Sequence, residues 1–439
     1  MSPDTGRRGD GDASLAIHGG PAAVTFDDDE VFDWPIVTAD DENAVLEVLR
    51  RGAMSGTDVT KTFEDEFTGW LGTEYALGYS SGTASILGAM YGVGVGVGDE
   101  VLGPSVTYWA ALLPALSLGA TPVFADIESE TLCVDPDSVA ERISDRTRAI
   151  VVVHNYGHPA PMEPIMEIAE DHDVAVIEDV SHAHGGRYRG EPLGTIGDVA
   201  AMSLMSGKSL AAGEAGMLAT DDREVYERAV AFGHYKRHDG VLEHPDLAPY
   251  AGLPFGGHKH RMHQLSAAVG RVQLRSYDTR MAEIQSAMAS FWARLEDVPG
   301  IRPHRPTAEG STMGGWYSPK GLYEPAELDG LPVDRFAAAV RAEGSRCSAG
   351  CNDALHLHPL LQEADVFGHG TPTRLAHADR DVRDDPGTLP VAEGIQERCF
   401  GIPWFKRDRP GVIDQHADAF RKVAEHYDEL LDSTGTVDP

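Results

Sequence analysis

The sequence predicts an α/β protein built on a mainly parallel sheet, followed by a smaller α+β domain at the C-terminus. Three observations point there. From about residue 63 to residue 219, short apolar runs of strand type alternate with helical stretches. Polar residues able to do chemistry follow several of these runs directly, as at the carboxyl ends of strands in open α/β sheets. From about residue 296 the alternation gives way to short strands mixed with two helical stretches. The 439 residues exceed one simple core and fit a large domain over 31–290 plus a small one over 291–439.

Taken in order, residues 1–30 are rich in Gly and Asp, lack a stable period and predict a disordered lead-in. From Thr38 to Arg51, Val45, Leu46 and Leu49 fall at helical spacing, with Thr38 as N-cap, acids in the first turn and Gly52 as the stop. Strand-type runs follow at Tyr75–Tyr79, Glu100–Gly103, Thr121–Phe124, Ala149–His154 and Val174–Glu178. Helical stretches fall between them, among them Ser85–Gly92 and Met162–Asp171. Helical signal returns at His263–Tyr277 and at Met281–Leu295, the latter long enough to bridge two domains. Val333–Gly344 and Gln415–Leu431 are the helices of the C-terminal region, and the polar stretch Gly368–Gly387 reads as a mobile loop.

Composition narrows the function. With 70 acidic and 36 basic residues the net charge is −34, which repels nucleic-acid phosphates and anionic membranes. The acid is spread along the chain and Lys is scarce, the pattern of proteins from salt-loving organisms. No apolar run is long enough to cross a membrane. The polar stretch Met1–Asp12 lacks a signal peptide's apolar core, so the expected location is cytoplasmic. Four cysteines in such a chain do not suggest a disulfide framework.

Four features carry chemistry. Ser80-Ser81-Gly82-Thr83-Ala84-Ser85 ends an apolar run and enters a helix, where free backbone N–H groups and the helix dipole suit a phosphate. Such a turn is also an ordinary helix cap. Glu178-Asp179 places carboxylates at the end of a buried strand; either caps the next turn or pairs with a cation such as a protonated pyridine nitrogen. Lys208 follows Ser203-Leu204-Met205-Ser206-Gly207 and, if it sits in a partly dry cleft, has the lowered pKa that a Schiff-base lysine needs. Gly213 and Gly216 mark a tight turn into a strand, Met217–Thr220, holding the Lys208 loop near the sheet.

Together these features resemble the DegT/DnrJ/StrS-type sugar aminotransferases, within fold-type I of the pyridoxal-phosphate (PLP) enzymes. The resemblance runs from about Trp34 to Lys406. It includes "SSGTAS" at 80–85, "GATPVFADI" at 119–127, "VIEDVSHAHGGRYRGEPLGTIGD" at 176–198, "MSLMSGKSLAAGEAGML" at 202–218 and "HRMHQLSAAVGRVQL" at 260–274. It implies a seven-stranded, mainly parallel sheet and a homodimer with active sites at the interface. It implies that Lys208 bonds PLP covalently and later shuttles the proton between the donor's Cα and C4′ of the cofactor. By the same resemblance Asp179 pairs with the pyridine nitrogen, Gly82 and Thr83 give backbone N–H groups to the phosphate, and Ser203 gives its hydroxyl. Tyr108 falls where the family stacks an aromatic on the ring, and His182 where many members place Gln near the phenolic oxygen. Members often supply an Asn to the neighbouring subunit's phosphate; here Lys259 stands at that position, and Lys binds phosphate as a point charge.

The reaction implied moves an amino group from glutamate or glutamine to a keto-sugar, nucleotide-linked or not, or to a keto-cyclitol, in making cell-surface polysaccharide or a secondary metabolite. Lys208 favours transamination over the dehydratase relatives that carry His there. Two alternatives stay open: a PLP enzyme of another reaction type, and a non-catalytic PLP-binding regulator. Of the remaining clusters, His234–His238 are basic and read either as a phosphate-greeting loop or as a solvated one. Cys347, Cys351, His356 and His358 have loose spacing for zinc, and no metal is expected. Gly92, Gly94, Gly96 and Gly98 do not make a dinucleotide fingerprint.

Overall fold

A computed structural model describes residues 14–26 and 28–431. Seven strands form the main sheet: β1 (Tyr75–Tyr79), β2 (Glu100–Pro104), β3 (Thr121–Ala125), β4 (Thr147–Val153), β5 (Ala175–Asp179), β6 (Val199–Ser203) and β7 (Gly216–Thr220). Across the sheet they run β1-β7-β6-β5-β4-β2-β3. All neighbours from β3 to β6 pair in parallel, and β7 alone is reversed, antiparallel to both β6 and β1. The expected α/β class with a mainly parallel sheet is therefore present. β4 shows why the runs read as they do: from Ala149 to Val153 every residue is buried, so the strand is a continuous apolar run rather than an alternating one.

Helices cover the sheet. In α1 (Ala39–Arg50) the expected cap is a full capping box, with the Thr38 amide and hydroxyl donating to the Asp41 carboxylate at 2.9 and 2.7 Å. Next come α2 (Asp58–Leu71) and α3 (Gly82–Gly92). α3 is buried nearly all round, which its Ala/Gly/Ile/Leu content allows. After α4 (Met162–His172) and α5 (Arg223–Gly233), α6 (Gln264–Arg275) packs on α1 and α2.

The chain crosses to a second core along α7 (Tyr277–Ala293). That core holds the antiparallel strands β8 (Ile301–Pro303), β9 (Lys320–Tyr323), β10 (Ser348–Ala349) and β11 (Cys399–Gly401), in the order β8-β9-β11-β10. Helices α8 (Val333–Ala342) and α9 (Pro410–Glu425) complete it, and Phe291, Phe336, Phe400 and Phe420 meet at its centre. The last long helix starts at Pro410, not Gln415, because proline fits the first helical turn, where its missing N–H costs nothing.

Two expectations of disorder or mobility are corrected. Residues 1–13 and 27 lie outside the described residues, but most of the remaining lead-in is fixed on the second core. Leu15 is fully buried, and the Glu343 carboxylate accepts from the amides of Ala16 and Ala23 at 2.7 and 2.9 Å. The segment 368–387 is anchored as well. Buried Arg374 donates to the carbonyls of Pro122 and Val382, both at 2.9 Å, and Arg380 holds Glu100 through two bonds of 2.8 Å. Among the described residues no helix is long and apolar enough to cross a membrane.

Candidate active site

A cavity of about 380 Å³ opens at the carboxyl ends of the parallel strands. Gly82, Thr83, Tyr108, Asp179, His182, Ser203 and Lys208 all line it, so seven of the eight residues singled out in the sequence converge on one place.

At one end stands the N-terminus of α3. Ser81 caps it: its hydroxyl accepts from Ala84 N at 3.2 Å and its carbonyl accepts from Ser85 N at 3.1 Å. The N–H groups of Gly82 and Thr83 have no acceptor within the helix and sit at the positive end of its dipole. Glycine is required here, since a Cβ at Gly82 would lie 2.5 Å from that of Ser203. Ser203 ends β6, donates its own amide N–H to the Ser181 hydroxyl at 2.9 Å, and presents a hydroxyl beside the same helix. Among the described residues, the buried hydroxyl that Thr107 adds to the cavity wall has no hydrogen-bond partner.

The paired acids at the end of β5 part company, because successive strand side chains point to opposite faces. Glu178 is fully buried away from the cavity, where it accepts from the amides of Gly194, Ile196 and Gly197 at 2.8, 2.8 and 2.7 Å. His154 receives Ala160 N–H on Nδ1 at 3.0 Å, so its Nε2 carries the proton and donates to Glu178 at 3.0 Å. Asp179 faces the cavity between Val153 of β4 and Ala201 of β6. Burial raises its pKa, opposed by the Ser181 amide and by the charge on Lys208. A buried carboxylate of this kind is suited to a cationic N–H partner inside the cavity.

Lys208 is 8% exposed. Burial lowers its pKa to about 8, while Asp179 pulls the other way. Its loop is tied at both ends: Lys208 N donates to Met205 O at 2.8 Å, and Trp34 Nε1 donates to Lys208 O at 2.8 Å. His182 accepts Tyr156 N–H on Nδ1 at 3.3 Å, which leaves the proton on Nε2. Burial drives its pKa well below the ordinary value, helped by the nearby positive charge of Lys208, so the ring is a neutral donor. Tyr108 stands half in solvent at the mouth, beside Trp109.

Lys259 is the exception: it is exposed and does not line this cavity. The phosphate-greeting reading of 234–238 is corrected. Arg237 is buried and paired with Glu64 at 2.6 Å, His234 bonds the Gly78 carbonyl at 3.0 Å, and His238 is buried, leaving Lys236 as the exposed cation. His356 contacts Ser105 at 2.7 Å and Glu393 at 3.3 Å.

Sequence reasoning missed Tyr317, whose ring lies under the Lys208 amine, and Tyr156 with Asn352, whose side chains bond each other at 2.8 Å on the cavity wall. Tyr317 had one signal, the Gly314-Gly315 pair just before it. Both glycines pass too close to neighbouring chain to bear a side chain.

The donor set suits a phosphorylated pyridine aldehyde: free N–H groups for the phosphate, a buried carboxylate for the ring nitrogen and an amine of lowered pKa for the aldehyde. Comparison with known proteins bears on the same chemistry. The model of the DegT/DnrJ/EryC1/StrS aminotransferase family matches residues 35–407. The L-glutamine:scyllo-inosose aminotransferase of Streptomyces griseus is 31% identical over 433 residues, covering 95% of this chain and 99% of that protein. The dTDP-3-amino-3,4,6-trideoxy-alpha-D-glucose transaminase of Streptomyces venezuelae is 30% identical, covering 89% and 94%. The crystal structure of S. venezuelae DesV in complex with a ketimine intermediate superposes with a TM-score of 0.73 at 29% identity, covering 88% of this chain and 95% of that one.

Proposed function

Since this chain belongs to the DegT/DnrJ/EryC1/StrS aminotransferase family, we propose that Lys208, Asp179 and the N-terminus of α3 form its cofactor site and that glutamine or glutamate is its amino donor. The protein is a PLP-dependent aminotransferase that delivers an amino group to a keto-sugar or keto-cyclitol. The observation that carries the residue assignment is the convergence, in one cavity, of a buried amine, a buried carboxylate and a helix N-terminus.

When bound, PLP supplies an electron sink that acidifies the donor's Cα–H and a carbon that carries nitrogen from one substrate to the other. The protein does the rest. Lys208 is the residue that would hold the aldehyde group of PLP, and its amine, with a pKa of about 8, could accept the proton from the donor's Cα and return it. Asp179 keeps the pyridine nitrogen protonated. Gly82 and Thr83 N–H, with Ser203 hydroxyl, hold the phosphate. Tyr108, at the cavity mouth, would pack against the ring, and neutral His182 would donate toward its phenolic oxygen. Lys259, exposed on its own chain, is assigned to the phosphate of a second copy in a homodimer.

The acidic composition supports a salt-adapted enzyme, and a relative from Bacillus subtilis named as a spore coat polysaccharide biosynthesis protein supports a place in cell-surface glycan assembly. The test is transfer of label. With glutamine or glutamate bearing ¹⁵N on the α-amino group, and scyllo-inosose or a dTDP-linked keto-sugar as acceptor, the product amine should carry ¹⁵N. Consumption of donor with no labelled amine on any ketone would reject the assignment.

A further inference from the structure

Tyr317 is held more firmly than an ordinary loop residue. The Lys208 nitrogen lies 3.8 Å from the centre of its ring. His182 leans on it with ring centres 4.7 Å apart, and Trp404 meets it edge-on at 6.0 Å. The backbone is fixed on both sides. Gly314 and Gly315 pass against Ala183 O and Ser209 Oγ with no room for a Cβ. Trp316 is buried and donates to Gln285 at 2.7 Å, while Gln285 donates to Met313 O at 2.5 Å. Trp316 and Ser318 both sit at φ +50°, a region that costs energy for residues other than glycine and persists where their surroundings over-determine it.

We propose that the face of Tyr317 is the docking place of the Lys208 amine whenever that amine is free of the cofactor, which makes Tyr317 a positioning residue for the proton carrier. The inference rests on the assignment of Lys208 above. In each half-reaction the lysine must leave the cofactor, stay within reach and keep a pKa at which it gives up its proton. A carboxylate partner would hold it but raise that pKa. Free solvation would leave a long, flexible stem unplaced. An aromatic face attracts the ammonium moderately, has no charge and releases the neutral amine. Asp179 remains available to the ring nitrogen.

The test reads Lys208 without turnover. Full-length protein stripped of cofactor is reductively methylated with ¹³C-formaldehyde, and the Lys208 signal is identified by its absence in Lys208→Ala. The ring current of Tyr317 should move this signal upfield in the wild type and in Tyr317→Phe, and the shift should vanish in Tyr317→Leu. An unshifted signal in the wild type would overturn the proposal without any variant. In the donor half-reaction Tyr317→Leu should slow the rate roughly tenfold with little change in donor KM, while Tyr317→Phe restores it. Equal losses in both variants would assign the role to the hydroxyl and overturn the proposal, as would no loss in Tyr317→Leu. If wild-type protein acquired no visible absorption band with PLP, the assignment of Lys208 would fail, and the methyl shift would still report on Tyr317 separately.

Discussion

Glu178 and Asp179, adjacent at the end of one strand, face opposite sides of the sheet: Glu178 locks the 194–197 turn and Asp179 enters the cavity. One residue of register therefore separates a folding function from a chemical one. Glu178→Gln should destabilise the protein by about 2–4 kcal/mol, because an amide cannot accept from three backbone N–H groups and His154 together. Asp179→Asn should fold normally and lose at least about a hundredfold in kcat, by analogy with other removals of an electrostatic partner. Denaturant unfolding and steady-state rates separate the two.

The same pair gives a pH prediction. Burial alone would raise the Glu178 pKa, but His154 and the Gly197 and Gly194 amides outweigh it and hold it below the ordinary value. A depressed folded pKa contributes stability that is present above the unfolded value and lost as pH falls through the folded one. Acid unfolding of the wild type should therefore include a step below the usual glutamate range, and Glu178→Gln should flatten it.

Lys208 titrates at the other end of the scale. Its folded pKa is lowered to about 8 by burial, against the pull of Asp179. The rate at which stripped protein takes up PLP should rise with pH through about 8, as the neutral amine becomes available. In Asp179→Asn the rise should begin at lower pH, since the charge favouring the ammonium form is gone. A rise at higher pH in that variant would contradict the electrostatics described here.

Gly82→Ala should weaken cofactor retention by roughly tenfold or more. Its Cβ would press on Ser203 and shift the helix N-terminus that faces the phosphate. Equilibrium dialysis against PLP measures it, with far-ultraviolet circular dichroism to check the fold.

Arg237→Met should cost about 3–5 kcal/mol of stability, because it leaves Glu64 buried without its ion partner. It should leave acceptor KM unchanged. A rise in KM with normal stability would restore the phosphate-binding reading of the 234–238 cluster.

Much of this was legible in the sequence. The parallel strands announce themselves because strands buried on both faces need unbroken apolar runs, as in 149–153. Tyr75–Tyr79 was read to the residue, and α1 was bounded by Thr38 and Gly52 as expected. β6 is absent from the strand-type runs of the sequence, since it is short and its final Ser203 serves the cavity rather than the core. What stayed hidden depends on distant partners. Ala16 is fixed by Glu343, Arg374 by a carbonyl of β3, and Arg237 by Glu64, and no local pattern records such pairings. Tyr317 reaches the cavity through strained backbone and two tightly packed glycines, features that appear only once the chains they pass are in place.

The central claim, that Lys208 carries the cofactor of an aminotransferase, is tested most directly by absorption spectroscopy. Protein reconstituted with PLP in high salt is compared with Lys208→Ala, before and after L-glutamine or L-glutamate. The account predicts a visible band in the wild type that disappears on adding donor, and no donor-responsive band in the variant. A wild-type protein that shows no visible band when PLP is supplied, or a Lys208→Ala variant that responds to donor as the wild type does, would contradict it.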